Sequence, residues 1–387
     1  MHIWRVSSPR RKVQAPLHRS LIVRSGIRKR TQDRQSMERY IRQLSLPEID
    51  LLKQERLSET CILMVGAGGL GSPALPYLAG AGIGHIIIAD HDTVDASNLH
   101  RQTIYRTSQA GRNKAALAGA YLESLNPEIR VSTITEKLTE DNAGELLAAY
   151  DIDIILDGSD NFATKALLNA LSVTLGIPLI TASVNQFAGQ IGVFEGYDSN
   201  KACYRCLFPA FPSDARNCNE AGILGTSAGI IGMMQAHLTL LYLLDIDQEK
   251  PENFRNIDLK TLRIESFYTP KDSACSHCNH TQKNTQNPTK GKTMVEMIGI
   301  DQLNDEDSII IDVRQPEELL SDPLNNDLIT SAPVNIPLPE LTGRLDELPT
   351  DKRLAFVCAG NIRSAQAAEY LSAKGYENIC VLDKFTI

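Results

Sequence analysis

Residues 61–90 run through an apolar stretch, CILMVG, a glycine-rich turn, a helical stretch, PALPYLAGAG, and a second apolar stretch, HIIIAD. Short apolar runs on either side of a helix read as strands, and strand, helix and strand in this order form a βαβ unit with parallel strands. No other feature constrains the fold of the chain as tightly. The turn, Gly66-Ala67-Gly68-Gly69-Leu70-Gly71, fits G-x-G-x-x-G, and Asp90 ends the second strand 19 residues beyond Gly71. Backbone N–H groups at such a turn and at the helix N-terminus hold phosphates, and the acid takes ribose hydroxyls. Gly66, Gly68, Gly69, Gly71 and Asp90 are therefore expected to bind a nucleotide. By itself the fingerprint also fits NAD and a dehydrogenase.

The alternation continues along the chain. RNKAALAGAYLESLN reads as helix, IRVSTIT and DIDIILDGS as strands, FATKALLNALSVTLG as helix, PLITAS as strand, and QIGVFEG as a strand leading into a region of cysteines and glycines. Strands separated by helices imply a parallel sheet. A polar helix is expected over residues 37–54. Residues 281–292, TQKNTQNPTKGK, are polar and turn-rich, which marks a linker. Beyond it a smaller βα pattern, SIIIDV, LAFVCAG, AAEYLSAKGY and ICVL, fills about 95 residues, enough for a second compact domain. A chain of 387 residues suits two or three domains.

Charge is unevenly spread. Residues 1–36 hold ten Lys or Arg and one acid, Asp33, a net +9 against −8 for the whole chain, so the remainder carries −17. An acidic body does not look like a nucleic-acid clamp, and no nucleic-acid partner is expected. The basic, Ser-containing leader fits an organellar transit peptide; equally, Met37 opens a segment of different character, and the first 36 residues then read as a disordered or extraneous extension. No apolar run near the N-terminus precedes a small-residue cleavage site, so a cytoplasmic protein without a secretory signal is expected. Residues 221–244 contain no Asp, Glu, Lys or Arg, but Thr226, Ser227, Gln235, His237 and Thr239 interrupt them and four glycines crowd their first half. That suits a helix buried in a core or a dimer interface better than a membrane span.

Around the glycine turn stand groups that a nicotinamide pocket does not need. Arg42 lies in RYIRQ, Arg101 in SNLHRQ, Lys114 in GRNKA, and Asp157 and Asp160 in DGSDN at the end of a strand. Two arginines and a lysine neutralise polyphosphate and the charge that develops in nucleotidyl transfer, while a carboxylate holds Mg²⁺. Taken singly, each cation also fits a solvated surface, and each Asp fits an Asx turn or a helix cap. Taken together, RYIRQ, GAGGLGS, DHDTVDASNLHRQ, GRNKA and DGSDN stand in the order of the MoeB/ThiF family, and residues 37–280 resemble that family throughout. Its members are bacterial relatives of ubiquitin-activating enzymes and adenylate the C-terminal glycine of a ubiquitin-like sulfur carrier. The resemblance implies that Gly69, Asp90, Asn98, Arg101, Gln102 and Lys114 contact ATP. Asp160 would hold magnesium and the carrier's terminal glycine. Arg42 would enter the site of a partner subunit, so a homodimer with sites completed in trans is implied.

Eight cysteines divide among several roles. Cys203-x-x-Cys206 and Cys275-x-x-Cys278 supply four thiolates, enough to close a tetrahedral structural Zn²⁺ site; the competing reading is a labile redox disulfide. Cys218, in ARNCNEAGILG, occupies a position that in the MoeB/ThiF pattern can carry a cysteine forming a thioester or acyl disulfide with the carrier, and as a bare residue it also reads as a spectator thiol. Cys358 lies in FVCAGNIRS, where an apolar strand leads through a tight loop into a helix, a setting that lowers a thiol's pKa and stabilises a persulfide. Cysteine phosphatases share this arrangement. With IIIDVRQPEE and APVNIPL upstream, residues 297–387 resemble a rhodanese domain, which implies that Cys358 carries the persulfide and Arg363 helps to bind the anionic donor. The rhodanese pattern continues after its last strand into a glycine pair and a helix with a tryptophan, whereas here VLDKFTI is the end, so a C-terminally truncated domain is expected. Cys61 and Cys380, in apolar strands, read as core.

The expected architecture is thus α/β: a Rossmann-like, mostly parallel sheet with a zinc-stapled region, plus a small C-terminal α/β rhodanese-like domain. Its divisions are a leader over 1–36, an adenylyltransferase domain over 37–280, a linker over 281–296 and the rhodanese-like domain over 297–387. The resemblances imply ATP- and Mg²⁺-dependent adenylation of a Gly-Gly carrier, then conversion to a thiocarboxylate with sulfur from thiosulfate or a persulfide protein. A carrier of molybdopterin biosynthesis is expected; thiamine, cysteine-forming and tRNA-thiolating carriers are the alternatives within the family. Outside it stand a nicotinamide-dependent oxidoreductase and a catalytically idle scaffold.

Overall fold

A computed structural model describes residues 38–210, 222–246, 252–279, 295–299, 302–303, 307–321, 332–349 and 351–383. The basic leader, Cys218 and most of the segment read as linker lie outside the described residues. The first sheet has eight strands in the order β3-β2-β1-β4-β5-β6-β7-β8. Strands β1 (Cys61–Val65), β2 (His85–Ala89), β3 (Arg130–Ile134), β4 (Ile154–Asp157) and β5 (Leu179–Asn185) run parallel. Strands β6 (Ala188–Phe194), β7 (Phe254–Asp258) and β8 (Arg263–Phe267) continue it antiparallel.

Strands β1 and β4 are buried on both faces, and their alternate residues feed two separate cores. Ile62, Met64, Ile86 and Ile88 pack under the helices Gly71–Gly80, Lys114–Leu125 and Gly225–Leu243; Leu63, Val65 and Ile87 pack under Ala143–Leu147 and Phe162–Leu175. This period-2 division is what a strand covered by helices on both faces requires. The hairpin β7–β8 was not foreseen from sequence. Strand β8 is an edge strand exposed at all five residues, and its two apolar residues, Ile264 and Phe267, stand three apart and do not alternate as those of a half-buried strand would.

The charge-free stretch forms the helix Gly225–Leu243 and lies against the glycine turn. A Cβ on Gly232 would strike the Leu70 carbonyl and one on Gly225 the His100 carbonyl, so both glycines buy close approach. Two of its polar residues are bonded inside the protein: Gln235 Nε2 donates to the Asp157 and Ile180 carbonyls at 2.9 and 3.0 Å, and Thr239 Oγ1 to the Gln235 carbonyl at 2.8 Å. Among the described residues no helix is long and apolar enough to cross a membrane.

The helix expected over residues 37–54 is displaced. Residues 40–48 form turns, and the helix runs Leu51–Glu59, capped by Asp50, whose Oδ1 accepts from Lys53 N at 2.8 Å. Pro47 has no N–H to offer and crowds the preceding turn, which disfavours a continuous helix across it. This entry segment lies along the edge where the parallel strands begin. Gln54 Nε2 donates to the Ala81 carbonyl ahead of β2 at 3.1 Å, and Asn126, ahead of β3, donates to the Tyr40 hydroxyl at 2.9 Å.

The second sheet is wholly parallel, in the order β11-β10-β12-β13-β9: β9 is Glu296–Gly299, β10 Ser308–Asp312, β11 Val334–Asn335, β12 Arg353–Val357 and β13 Ile379–Asp383. It takes in Glu296, the last residue of the segment read as linker. Its helix Ile362–Ala373 packs on Leu51–Glu59, and Tyr40, Leu44 and Leu51 join Phe356, Tyr370 and Leu371 in one apolar cluster. Gln366 Nε2 donates to the Ile49 carbonyl at 3.2 Å, and Lys374 pairs with Glu55 at 2.9 Å. The small α/β unit is therefore docked on the entry segment, at the edge where the strands of the large sheet begin.

Candidate functional site

Parallel strands end together, and the turns after β1, β2 and β4 open into one cleft of about 1400 Å³. Gly66 takes φ +93°, and a Cβ there would meet the Gly158 carbonyl at 2.8 Å, so only glycine lets the first and third turns close on each other. Asp90 sits opposite. Its Oδ2 accepts from Ala67 N at 2.7 Å and its Oδ1 from Asp92 N at 2.9 Å. Burial pushes the Asp90 carboxyl up, against the downward pull of those two amides. Each oxygen has accepting capacity left over, and Asp90 lines the cleft, as binding of a ribose diol requires.

The segment after β2 supplies the cations. Lys114 opens the helix Lys114–Leu125, and although only 5% exposed it lines the cleft with Nζ 3.1 Å from Asp92 Oδ2. Asn113 holds this corner: its Oδ1 caps the helix at Ala116 N, 2.9 Å, and its Nδ2 donates to the Asp90 carbonyl at 3.0 Å. Arg101 donates to Asn98 Oδ1, so the two side chains enter the cleft as a unit. Gln102 is buried beside Gly68, and its Oε1 has no hydrogen-bond partner among the described residues. A buried acceptor left open in a cleft is suited to a donor on a ligand such as a nucleotide.

DGSDN separates its two acids. Asp157 is fully buried: Oδ2 accepts from Lys165 Nζ and Thr181 Oγ1, both at 2.7 Å, and Oδ1 from Ser159 N and Oγ at 3.0 and 2.6 Å. It is committed to the protein and has nothing left for a metal. Asp160, three residues on, is exposed in the cleft. Lys165 and Thr181 escaped the sequence reading because nothing in the chain order pairs them with Asp157. Asn256, Asp258 and Arg263, from the unforeseen hairpin, also line the cleft. Gly71 is not among the lining residues; it starts the helix, where a Cβ would strike the Gly66 carbonyl. Arg42 is exposed and does not line the cleft of its own chain.

Cys203, Cys206, Cys275 and Cys278 converge from positions 72 residues apart, with all four sulfurs within 4.8 Å of one another. Individual separations are 3.8, 3.8 and 3.5 Å. Thiolates about 2.3 Å from a tetrahedral zinc would stand about 3.8 Å apart, so the donor set and its spacing fit that ion. Burial pushes the Cys203 thiol up and the Cys278 thiol up to about 11, so a cation among the sulfurs would be needed to hold these two as thiolates. The redox reading is not favoured by separations of this size, far longer than the roughly 2 Å of an S–S bond.

Cys358 follows directly on β12 and is 1% exposed. Ser364 N donates to its sulfur at 3.4 Å, and Ser364 Oγ lies at 3.3 Å. Asn361, at φ 61°, turns the loop into the helix, and its Nδ2 donates to Asp383 Oδ1 at 3.0 Å. Arg363 leaves the loop and is gripped by Glu318, with Nη1 and Nη2 2.6 and 2.7 Å from the two carboxylate oxygens. Those bonds hold the Glu318 carboxyl near 2. Cys61 and Cys380 are buried in strands, and burial pushes the Cys61 thiol up to about 11.

The sequence model of the ThiF family matches residues 40–277, and that of the rhodanese-like domain residues 300–385. The chain is 41% identical over 250 residues to the sulfur carrier protein adenylyltransferase of Thermus thermophilus, covering 63% of this chain and 92% of that one. With the adenylyltransferase and sulfurtransferase MOCS3 of Culex quinquefasciatus it shares 45% identity over 211 residues, 54% of this chain and 47% of that one. The chain thus spans about half the length of this two-activity relative. Among solved structures, Escherichia coli MccB crystallised with ATP matches at a TM-score of 0.51 and 21% identity, over 59% of this chain and 68% of that one; the likeness shows the fold alone.

Proposed function

The chain belongs to the ThiF family, with a rhodanese-like domain joined to it, and from that premise we propose that it adenylates the C-terminal glycine of a ubiquitin-like sulfur carrier and then transfers sulfur to it. One observation carries the first half: the glycine turn, Asp90, the Asn98 and Arg101 pair, Lys114 and Asp160 come from separate segments and open into one cleft. ATP use is implied by the family, and the cleft has what ATP binding asks for. Asp90 takes the ribose, Gln102 offers its open oxygen, and the amides of Gly68 and Gly69 with Arg101 and Lys114 face the phosphates. Asp160 would hold Mg²⁺, which supplies charge neutralisation at the phosphates. The carrier's carboxylate attacks the α-phosphorus and pyrophosphate leaves. A carboxylate needs no base to attack, so positioning and charge compensation dominate. Arg42, exposed and outside its own cleft, would act in that of a second copy, which is the support for a homodimer.

In the second half Cys358 carries a persulfide drawn from thiosulfate or a persulfide protein. Its outer sulfur attacks the acyl-adenylate carbonyl and AMP leaves, giving an acyl disulfide; a second thiol, for which Cys218 is the candidate, attacks the Cys358 sulfur, frees the thiocarboxylate and leaves a Cys218–Cys358 disulfide that a cellular dithiol reduces. Zn²⁺ on the four-cysteine cluster would staple the segments that flank Cys218 in sequence. The carrier we favour is that of molybdopterin biosynthesis, and the site is proposed to work in the cytoplasm. Intact mass spectrometry of separate molybdopterin, thiamine, cysteine-forming and tRNA-thiolating carriers, each with enzyme, MgATP and thiosulfate, tests all of this. An adenylate followed by exchange of one oxygen for sulfur on the molybdopterin carrier is expected. Reaction of another carrier alone would redirect the pathway, and no adenylate on any would refute the proposal.

A further inference from the structure

Cys358 itself is buried while Ala359 and Gly360 after it are exposed, and the chain's own entry segment packs against the side of the loop that holds Arg363. Cys358 belongs to the apolar cluster that holds Tyr40, Leu44 and Leu51. Ile41, Leu44 and Ser45 stand across from Val313, Leu338 and Arg363, and the space left between them is about 10 Å³. That is room for about one water, far short of a thiosulfate ion or of a protein side chain bearing a persulfide. Arg363 is also turned to Glu318, with both arms of its guanidinium engaged. On this side of the loop an incoming anion meets an apolar wall and a cation already paired.

The ties that hold the wall in place are modest. Gln366 Nε2 reaches the Ile49 and Leu46 carbonyls at 3.2 and 3.5 Å, the latter at the limit of a hydrogen bond, and Lys374 and Glu55 form a surface ion pair. Leu44 and Leu51 supply the apolar contact. We propose that residues 40–45 are a removable cover on the sulfurtransferase loop, and that loading of Cys358 with sulfur requires the small domain to move off the segment that carries Arg42. The proposal deepens the reading of Cys358 as the persulfide carrier and rests on it only for the sulfur-transfer arm of the test.

Full-length Leu44→Asp and the milder Gln366→Ala loosen the contact without touching Cys358, Arg363 or Glu318. Two rates are compared with the wild type. One is alkylation of Cys358 by iodoacetamide, read by peptide mass spectrometry with the buried strand residue Cys380 as internal control. The other is thiocyanate formation: sulfane sulfur passes from thiosulfate to the Cys358 thiolate as sulfite leaves, and cyanide carries it off and restores the thiolate. The cover predicts Cys358 alkylation faster by on the order of tenfold with Cys380 unchanged, and faster thiocyanate formation through a lower KM for thiosulfate. Selective alkylation without thiocyanate from any form would keep the cover and remove the persulfide role. Cys358 alkylation within about twofold of wild type in both variants, or rising only in step with Cys380, overturns the proposal.

Discussion

Asp157 and Asp160 stand three positions apart in one turn, and their surroundings give them different work. Asp160 faces open cleft, so Asp160→Ala should leave the fold intact and lower carrier-dependent ATP–pyrophosphate exchange by about 100-fold or more. Near-normal exchange by the folded variant would remove Asp160 from the magnesium role. Asp157→Ala strands the buried Lys165 ammonium and should cost about 3–5 kcal/mol in urea unfolding; a loss below 1 kcal/mol would mean the pair is weaker than its geometry indicates. Sequence alone shows both acids as equals, because Lys165 and Thr181, 8 and 24 positions from Asp157, are what separate them. Glu318 offers a pH test. Its folded carboxyl lies near 2 against an ordinary 4.5, chiefly through Arg363, so the pair adds stability above the ordinary value that is lost as pH falls from there toward 2. Glu318→Gln should melt slightly below wild type near neutral pH, slightly because the Glu318 side chain is 37% exposed, and the gap should narrow below pH 4.5 and close only near pH 2. A gap that persists there would assign the effect to packing.

At the scale of elements, the βαβ unit was legible because its strands are buried on both faces and leave an unbroken apolar record. The hairpin β7–β8 left no such record, because its edge strand is exposed at every residue and Ile264 and Phe267 do not alternate. Pro47 was visible, yet its power to end the helix was overlooked in a polar stretch. Of the cleft, the glycine turn and the cations could be read from residues in order, whereas Asn256, Asp258 and Arg263 depended on the hidden hairpin. Gly71 shows how tightly the unit is drawn. A methyl there falls on the Gly66 carbonyl, so Gly71→Ala should lower stability by about 1–3 kcal/mol and weaken binding of a fluorescent ATP analogue, while Gly144→Ala, with open space around it, should do neither. Equal behaviour of the two variants would show that the turn yields more easily than its packing indicates.

At the scale of the whole molecule, the position of Arg42 outside its own cleft gives a complementation test. Arg42→Ala and Asp160→Ala chains should each lack exchange activity, and unfolding and refolding them together should restore part of it, because a mixed pair holds one cleft with both residues. No recovery would place Arg42 in its own chain's service or in none. The docking of the small domain was the least legible feature, since no motif announces that Leu44 and Leu51 leave their own core for another. Its consequence is one of timing. The cleft opens where the parallel strands end, and the domain of Cys358 is docked on the segment where they begin, with five-residue strands of roughly 16 Å between. In the proposed reaction the acyl-adenylate is made at one rim and its sulfur waits at the other, so the mixed anhydride must survive a rearrangement while water competes for it. Yield is then a race between hydrolysis and delivery. If a second copy delivers the sulfur, dilution will lose that race; if the same chain does, dilution will not matter.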